Sequence, residues 1–142
     1  MEKGTIYSLD FIRDKIKTAI KKYGDDLECI EITYDVLGND EGYLWKIRPQ
    51  LRACVTDKRH QRIIEQGQTP SLEDYGAHLT IGEGYEFIES GEECDYEEKR
   101  ELLISDCRKV YFALRKEFPM LHRDLARYDS RLIADTFRWH KV

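Results

Sequence analysis

Apolar residues recur along this chain with two different periods, and the first period is that of a helix. The apolar positions of the first segment are Leu9, Ile12, Ile16, Ile20 and Tyr23, which lie three or four residues apart. This spacing draws one apolar stripe along an α-helix. Ser8 is suited to the N-cap and Gly24 to the C-terminal stop, so we predict a helix between them.

The next segment alternates with a period of two, which indicates a pair of strands. The apolar positions of the first strand are Ile30, Ile32, Tyr34 and Val36, and polar residues stand between them. Residues 38–42 supply glycine, asparagine and aspartate, which are typical of a turn. Alternation then resumes over residues 43–55, so the pattern predicts an antiparallel hairpin.

The cross-strand register of this hairpin can be predicted from its side chains. Placing Val36 opposite Tyr43 puts apolar residues of both strands on one face and sets Glu31 against Arg48 on the other. Pro49 has no N–H group to donate to a neighbouring strand. We therefore expect the second strand to lie at the edge of the sheet, or to bulge at Pro49.

The pattern of the second half of the chain predicts further strands and a long helix. Residues 77–81 and 85–87 read as another hairpin or as one long bulged strand. A helix is predicted over residues 95–118, with Pro119 as its stop. Its apolar stripe consists of Leu103, Cys107, Val110, Leu114 and Phe118.

Two segments have no firm assignment from their pattern. Residues 57–76 include a short candidate helix that Asp57 could cap and Gly67 could end. In the tail, Leu121, Leu125 and Tyr128 have helical spacing. Asp129 and Ser130 could cap a last helix or begin a terminal strand, and residues 131–142 alternate too poorly to decide between these. The elements together predict one α+β domain over residues 1–142. A small, mostly antiparallel sheet packs against an N-terminal helix, a long C-terminal helix and a helical tail.

Charge is distributed unevenly and changes the functional reading. Residues 83–106 contain ten acidic and two basic residues, whereas residues 107–142 contain nine basic and four acidic residues. Within the long helix this order complements the helix dipole and needs no binding partner. Five glutamates before or at the helix start are left over: Glu83, Glu86, Glu89, Glu92 and Glu93.

These five glutamates are the predicted binding surface of a non-catalytic protein-binding module of the inhibitor, immunity or accessory type. An acidic surface steers and binds basic partners, so we expect a basic protein partner. The predicted edge strand also allows a homodimer. The chain has no apolar run long enough to cross a membrane and no apolar leader at its N-terminus, so we expect a cytoplasmic protein.

A second interpretation is nucleotide or nucleic-acid binding through basic residues of the second strand and the tail. The candidate residues are Lys46, Arg48, Arg52, Arg138, Trp139 and Lys141. Bases interleaved with an aromatic suit phosphate contacts and base stacking. The net charge of −5 argues against sequence-independent binding of this kind, and neutralisation of the strand bases by Glu31 and its neighbours competes with it.

A third interpretation is an enzyme of unrecognised reaction, because carboxylates that converge in space cannot be found from sequence. No catalytic motif, cofactor motif or metal-ligand spacing is present, and the four histidines are scattered. The four cysteines form no C-x-x-C pair, and Cys29, Cys54 and Cys107 lie in apolar surroundings. We therefore predict reduced, mostly buried cysteines, with no metal and no cofactor.

Overall fold

A computed structural model describes residues 5–38, 44–88, 93–122 and 137–140. The helices of this part are α1 (Leu9–Tyr23), α2 (Asp57–Glu65), α3 (Glu93–Leu114) and α4 (Pro119–His122). The strands are β1 (Leu27–Gly38), β2 (Leu44–Val55), β3 (Gly76–Thr80), β4 (Tyr85–Ile88) and β5 (Phe137–His140). Short 3₁₀ turns cover Gly24–Asp26 and Leu72–Tyr75.

The described strands form one antiparallel sheet with the order β3-β2-β1-β5, and β4 pairs with β2 beyond the end of β3. The predicted α+β fold, with its N-terminal helix and its long C-terminal helix, is confirmed. α1 begins at the N-cap Ser8, whose side chain accepts a hydrogen bond from the Phe11 N–H. It ends at Gly24, as predicted. The predicted helical tail beyond His122 lies outside the described residues.

The hairpin of β1 and β2 is confirmed, but its predicted register is wrong. Val36 lies opposite Ile47, and Glu31 lies opposite Arg52. The strands continue to Gly38 and resume at Leu44, so from Cys29 onward the partner of each β1 residue is four positions further along β2 than predicted. Because this difference is an even number of residues, these side chains stay on their predicted face.

The prediction that β2 lies at an edge or bulges at Pro49 is also wrong. β2 is an inner strand, with β1 on one side and β3 and β4 on the other. Pro49 is buried between the segments that pair with these two strands, and its carbonyl accepts from the Ile81 N–H at 3.0 Å. The N–H and C=O of an extended residue face the same neighbour, so the missing donor of Pro49 faces the gap between β3 and β4.

β3 and β4 do not pair with each other as a hairpin. Both run antiparallel to β2, so they act as two parts of one interrupted strand, close to the second predicted alternative. Gly84 permits the interruption because its φ is +69° and a Cβ there would lie 1.9 Å from the Ile47 carbonyl oxygen. Only glycine fits so close to a neighbouring backbone in this conformation.

The boundaries of two helices differ from prediction. α2 starts one residue earlier than predicted, because Thr56 is the N-cap and Asp57, the predicted cap, is already helical. α3 starts at Glu93 and ends at Leu114, four residues before the predicted end at Phe118. A proline clashes with the carbonyl four residues before it, so Pro119 cannot continue α3 and instead begins α4.

The sheet has two different faces, which we call the apolar face and the polar face. The apolar face carries Ile30, Ile32, Ile47, Leu51, Ala53, Phe137 and Trp139, and it packs with α1 and α3 in one buried core. Trp139 is fully buried, and its ring centroid lies 4.9 Å from that of Tyr111 on α3. In the described part of the chain, no helix has the length and apolar character needed to span a bilayer.

Candidate functional site

The polar face is arranged in cross-strand rows, because alternate residues of each strand point to it. One row runs through Arg138, Glu31, Arg52 and His78 on β5, β1, β2 and β3. The following rows contain Thr33, Gln50 and Thr80, then Asp35 and Arg48, and finally Leu37, Lys46 and Glu86. Residues far apart in the chain therefore become direct neighbours on this face.

Ion pairs neutralise most of the bases in these rows. Arg138 Nε donates to Glu31 Oε1 at 2.5 Å, and Lys46 Nζ donates to Glu83 Oε2 at 2.8 Å. Arg48 forms a two-point contact with Asp35 through Nε at 3.1 Å and Nη2 at 3.2 Å. The Asp35 carboxylate accepts these hydrogen bonds and raises the pKa of the Arg48 guanidinium.

Gln50 shows how completely this face satisfies its buried polar groups. Its side chain is 7% exposed, and its Nε2 donates to Thr80 Oγ1 at 3.0 Å. A longer contact of 3.4 Å reaches Asp35 Oδ1. Because a buried amide without partners is unfavourable, these contacts explain why a polar residue is tolerated here.

The polyanion-binding candidates are therefore largely engaged or buried. Lys46, Arg48 and Arg138 each have a carboxylate partner, whereas Arg52 is exposed and forms no ion pair among the described residues. Trp139 belongs to the core, so its ring has no face available for stacking on a base. Lys141 lies outside the described residues. These contacts do not favour nucleic-acid binding by this set.

The structure describes only part of the predicted acidic surface. Glu83 is half-exposed and accepts from Lys46 and, at 3.1 Å, from the Tyr7 hydroxyl. This hydrogen bond to the carboxylate raises the pKa of Tyr7. Glu86 is exposed on β4, opposite Lys46. Glu89 and Glu92 lie outside the described residues, and Glu93 is described only as the first residue of α3.

Apolar side chains lie beside Glu86 at the same end of the sheet. Ile88 is 55% exposed and Leu37 is 40% exposed, and Ile88 pairs with the half-buried Leu44. We call the group of Leu37, Leu44, Lys46, Glu86 and Ile88 the sheet-end surface. A shallow hollow of about 230 Å³ lies against it, lined by Leu37, Gly38, Leu44, Trp45, Lys46 and Glu86.

At the opposite end of the polar face, Cys29 and Cys54 meet beside Glu31. Their two sulfur atoms and one carboxylate oxygen of Glu31 all lie within 4.8 Å of one another. We call these three residues the cysteine cluster. A β-bulge between Leu27 and Cys29 keeps Leu27 in the core while it sets Cys29 opposite Cys54. No disulfide joins them.

The two thiols of the cluster are electrostatically different. The hydrogen bond between them raises the pKa of Cys29 and lowers the pKa of Cys54, with burial as the second cause for Cys29. Cys107 lies apart on α3, where burial raises its pKa to about 12. The pair was not predicted, because the wrong register sets Gln50 rather than Cys54 opposite Cys29. Strand pairing in the correct register is the signal that would have found it.

An open hollow of about 650 Å³ adjoins Cys54 at the edge strand β3. Arg52, Gly76 and His78 line it near the cysteine, and Leu72 and Tyr75 line its outer part. Leu72 is 89% exposed, so the hollow is open to solvent.

Comparisons with protein-family models, with curated proteins and with solved structures found no match to this chain.

Proposed function

We propose that this chain is a non-catalytic protein-binding module that binds a basic protein through its sheet-end surface. The observation that carries the proposal is the exposure of Ile88 and Leu37 beside Glu86. They lie on the polar face, where the buried side chains of Glu31 and Gln50 have partners within the chain. Large apolar side chains that stay exposed together on a polar face are typical of an interaction site.

The composition of the sheet-end surface supports protein rather than small-molecule binding. Its apolar centre, Leu37, Leu44 and Ile88, is bordered by the charged residues Lys46 and Glu86. Protein interfaces have this arrangement of an apolar centre and a polar rim. The hollow against it is shallow and open, whereas small-molecule sites are deeper clefts.

The charge around the surface favours a basic partner. Lys46 is neutralised by Glu83, so Glu86 is left to set the local sign. The sequence adds Glu89, Glu92 and Glu93 directly after Ile88, and the whole chain carries a net charge of −5. Complementary charge speeds encounter with a positive partner and makes binding weaken as salt increases.

The test uses Ile88→Asp and Glu86→Lys in the full chain. Proteins captured by the wild type from cells of the source organism are purified, and their affinity is measured by calorimetry. We expect a partner with a basic surface. Ile88→Asp should weaken binding about tenfold or more, the usual effect of losing an interface anchor. Glu86→Lys should weaken binding and reduce its salt dependence.

Matched controls exist on α2. Ile64 is 56% exposed, against 55% for Ile88, and Glu65 is exposed like Glu86. Ile64→Asp and Glu65→Lys should leave affinity unchanged. Equal loss of binding in these controls would contradict the proposal. Sedimentation of the wild type tests the predicted homodimer. If the wild type is a dimer and Ile88→Asp dissociates it, the sheet-end surface binds a second copy of this chain instead of a basic protein.

A further inference from the structure

The cysteine cluster brings together two thiols and a carboxylate from two paired strands. Cys29 and Glu31 lie on β1, and Cys54 lies on β2, 25 positions after Cys29 in the chain. Thiolate and carboxylate are ligand types that Zn²⁺ accepts in proteins. We propose that Cys29, Cys54 and Glu31 form a binding site for a divalent thiophilic cation of the Zn²⁺ class. This inference is independent of the proposed function, because the sheet-end surface lies at the other end of β2.

The separations within the cluster fit tetrahedral coordination. With Zn–S bonds of about 2.3 Å and Zn–O bonds of about 2.0–2.2 Å, the donor atoms of one site stand roughly 3.5–3.8 Å apart. The two sulfurs and the Glu31 oxygen already lie within 4.8 Å of one another. We expect side-chain rotations of Cys29 and Cys54 to close the remaining distance without movement of the two paired strands.

The local charges balance a divalent ion. Two thiolates and one carboxylate bring three negative charges, which exceed the two positive charges of the cation by one. Arg138 supplies the matching positive charge through its ion pair with Glu31. Arg52 lies opposite Glu31 but is exposed, so solvent screens its repulsion of the ion.

Arg138 also positions the carboxylate. Its Nε donates to Glu31 Oε1 at 2.5 Å, and a carboxylate has two oxygens, so this hydrogen bond does not use all of its capacity to bind a metal ion. Glu31 itself is 7% exposed, so its side chain is confined by its neighbours. Carboxylates that bind metals are commonly held by such an outer hydrogen bond, which fixes the ligand before the ion arrives.

The hollow beside Cys54 gives the ion an entry path and a fourth ligand. Three protein ligands leave one tetrahedral position for water or a small anion, as in open zinc sites. The hollow of about 650 Å³ reaches Cys54 from solvent between Arg52, Gly76 and His78. Water in this hollow can therefore complete the coordination.

The experiment titrates the reduced full chain with Co²⁺ and Zn²⁺ without oxygen and with a phosphine reductant. We expect one Co²⁺ per chain and a thiolate-to-cobalt charge-transfer band with the intensity of two sulfur ligands. Zn²⁺ affinity is measured by competition with a chromogenic chelator. Cys54→Ser should lower it by more than about 100-fold, because loss of an outer hydrogen bond alone lowers metal affinity about 10–100-fold. Glu31→Gln should lower it by about 10-fold or more.

Cys107→Ser is the matched control, because Cys107 is a buried cysteine outside the cluster, and it should bind Zn²⁺ like the wild type. Circular dichroism without metal checks that each variant is folded. If a variant unfolds, the number of sulfur ligands in the wild-type cobalt spectrum still shows whether two cysteines bind the ion. Absence of the band, unchanged affinity in Cys54→Ser, or a cluster that only forms a disulfide on exposure to oxidants and binds no ion would overturn the site.

Discussion

Gln50 and Leu51 are neighbours on β2 and are almost equally buried, at 7% and 6% exposure, but they face opposite sides of the sheet. Leu51 packs in the core, whereas Gln50 donates hydrogen bonds to Thr80 and Asp35. The same degree of burial is thus reached by two different means. Burial alone therefore does not identify the core of this protein, and the partners of each side chain do.

The two faces also differ in how much stability each contact contributes. Burying a large apolar side chain contributes about 1.5–3 kcal/mol. A hydrogen bond in the protein contributes about 0.5–1.5 kcal/mol net, and an exposed ion pair about 0–1 kcal/mol. We expect the apolar face to determine stability and the polar face to determine which surfaces remain available for binding.

Trp139→Ala should give the largest effect. Trp139 is fully buried, and its ring contacts Tyr111 on α3 and Phe118 after it. Truncating a buried tryptophan removes its burial and leaves a cavity, so we expect a loss of about 3–5 kcal/mol in the free energy of unfolding. Urea denaturation measures this loss. Phe112, which lies beside Tyr111 on α3, is 44% exposed, so Phe112→Ala should lower the free energy of unfolding clearly less. Equal losses would contradict the assignment of β5 to the core.

A reciprocal pair of substitutions on β2 tests the comparison directly. Leu51→Gln places an amide without partners in the core, and we expect a loss of about 3 kcal/mol or more from lost burial and an unsatisfied polar group. Gln50→Leu removes two hydrogen bonds at an equally buried position and should lose about 1 kcal/mol. Chemical denaturation of both variants gives the ratio. Similar losses would show that the two faces are energetically alike.

Asp26 tests whether a polar contact outside the sheet adds measurable stability. Asp26 accepts from Arg62 at 2.5 Å and from Arg59 at 3.4 Å, and the Arg62 hydrogen bond lowers the pKa of Asp26. A lowered pKa means that the stabilisation is complete above the ordinary aspartate pKa of about 3.9 and is lost as the pH falls through the lowered value. Asp26→Asn should therefore lose about 0.5–1 kcal/mol at neutral pH.

The measurement for Asp26 is the difference in unfolding free energy between wild type and Asp26→Asn across the acid range. The difference is used because the pKa values of Asp74 and Glu117 are lowered too, and these groups titrate in both proteins. We expect the difference to shrink as the pH decreases. A difference that stays constant into strong acid would mean that the charge of Asp26 is not the source of its contribution.

The smallest change in stability is expected at the sheet-end surface. Glu86 is exposed and has no buried partner among the residues that the structure describes, so Glu86→Lys should change the unfolding free energy by less than about 0.5 kcal/mol. Thermal unfolding compares it with Glu65→Lys on α2. A clear destabilisation by Glu86→Lys alone would mean that Glu86 supports the fold, and its role in binding would then need a separate measurement.

Much of the fold could be predicted because its local signals agree with its tertiary structure. Ser8 and Gly24 bound α1 as their capping chemistry predicts, and the alternation around Ile30 and Ile47 identifies the hairpin. The long stripe around Leu103 identifies α3. The position of β2 could not be predicted from Pro49, because a proline excludes only the one hydrogen bond that its own N–H would donate. The break between β3 and β4 falls opposite Pro49, so no neighbouring strand needs that hydrogen bond.

The candidate sites were less predictable, because both depend on pairing between distant segments. The glutamates were found from charge alone, but their apolar neighbours Leu37 and Ile88 are remote in sequence and meet only through β2. Cys29 and Cys54 become neighbours only in the observed register. Register depends on where each strand ends, and the composition of a turn does not determine its length.

The pairing of β5 with β1 has a consequence for the order of events during biosynthesis. Trp139 and Phe137 leave the ribosome after every other described core residue, yet they pack directly beside Ile30 and Ile32. Until they emerge, β1 offers an unpaired apolar edge, which is the kind of surface that aggregates or recruits chaperones. We expect the nascent chain to remain protease-sensitive until β5 has been released from the exit tunnel, and to gain its protection in one late step.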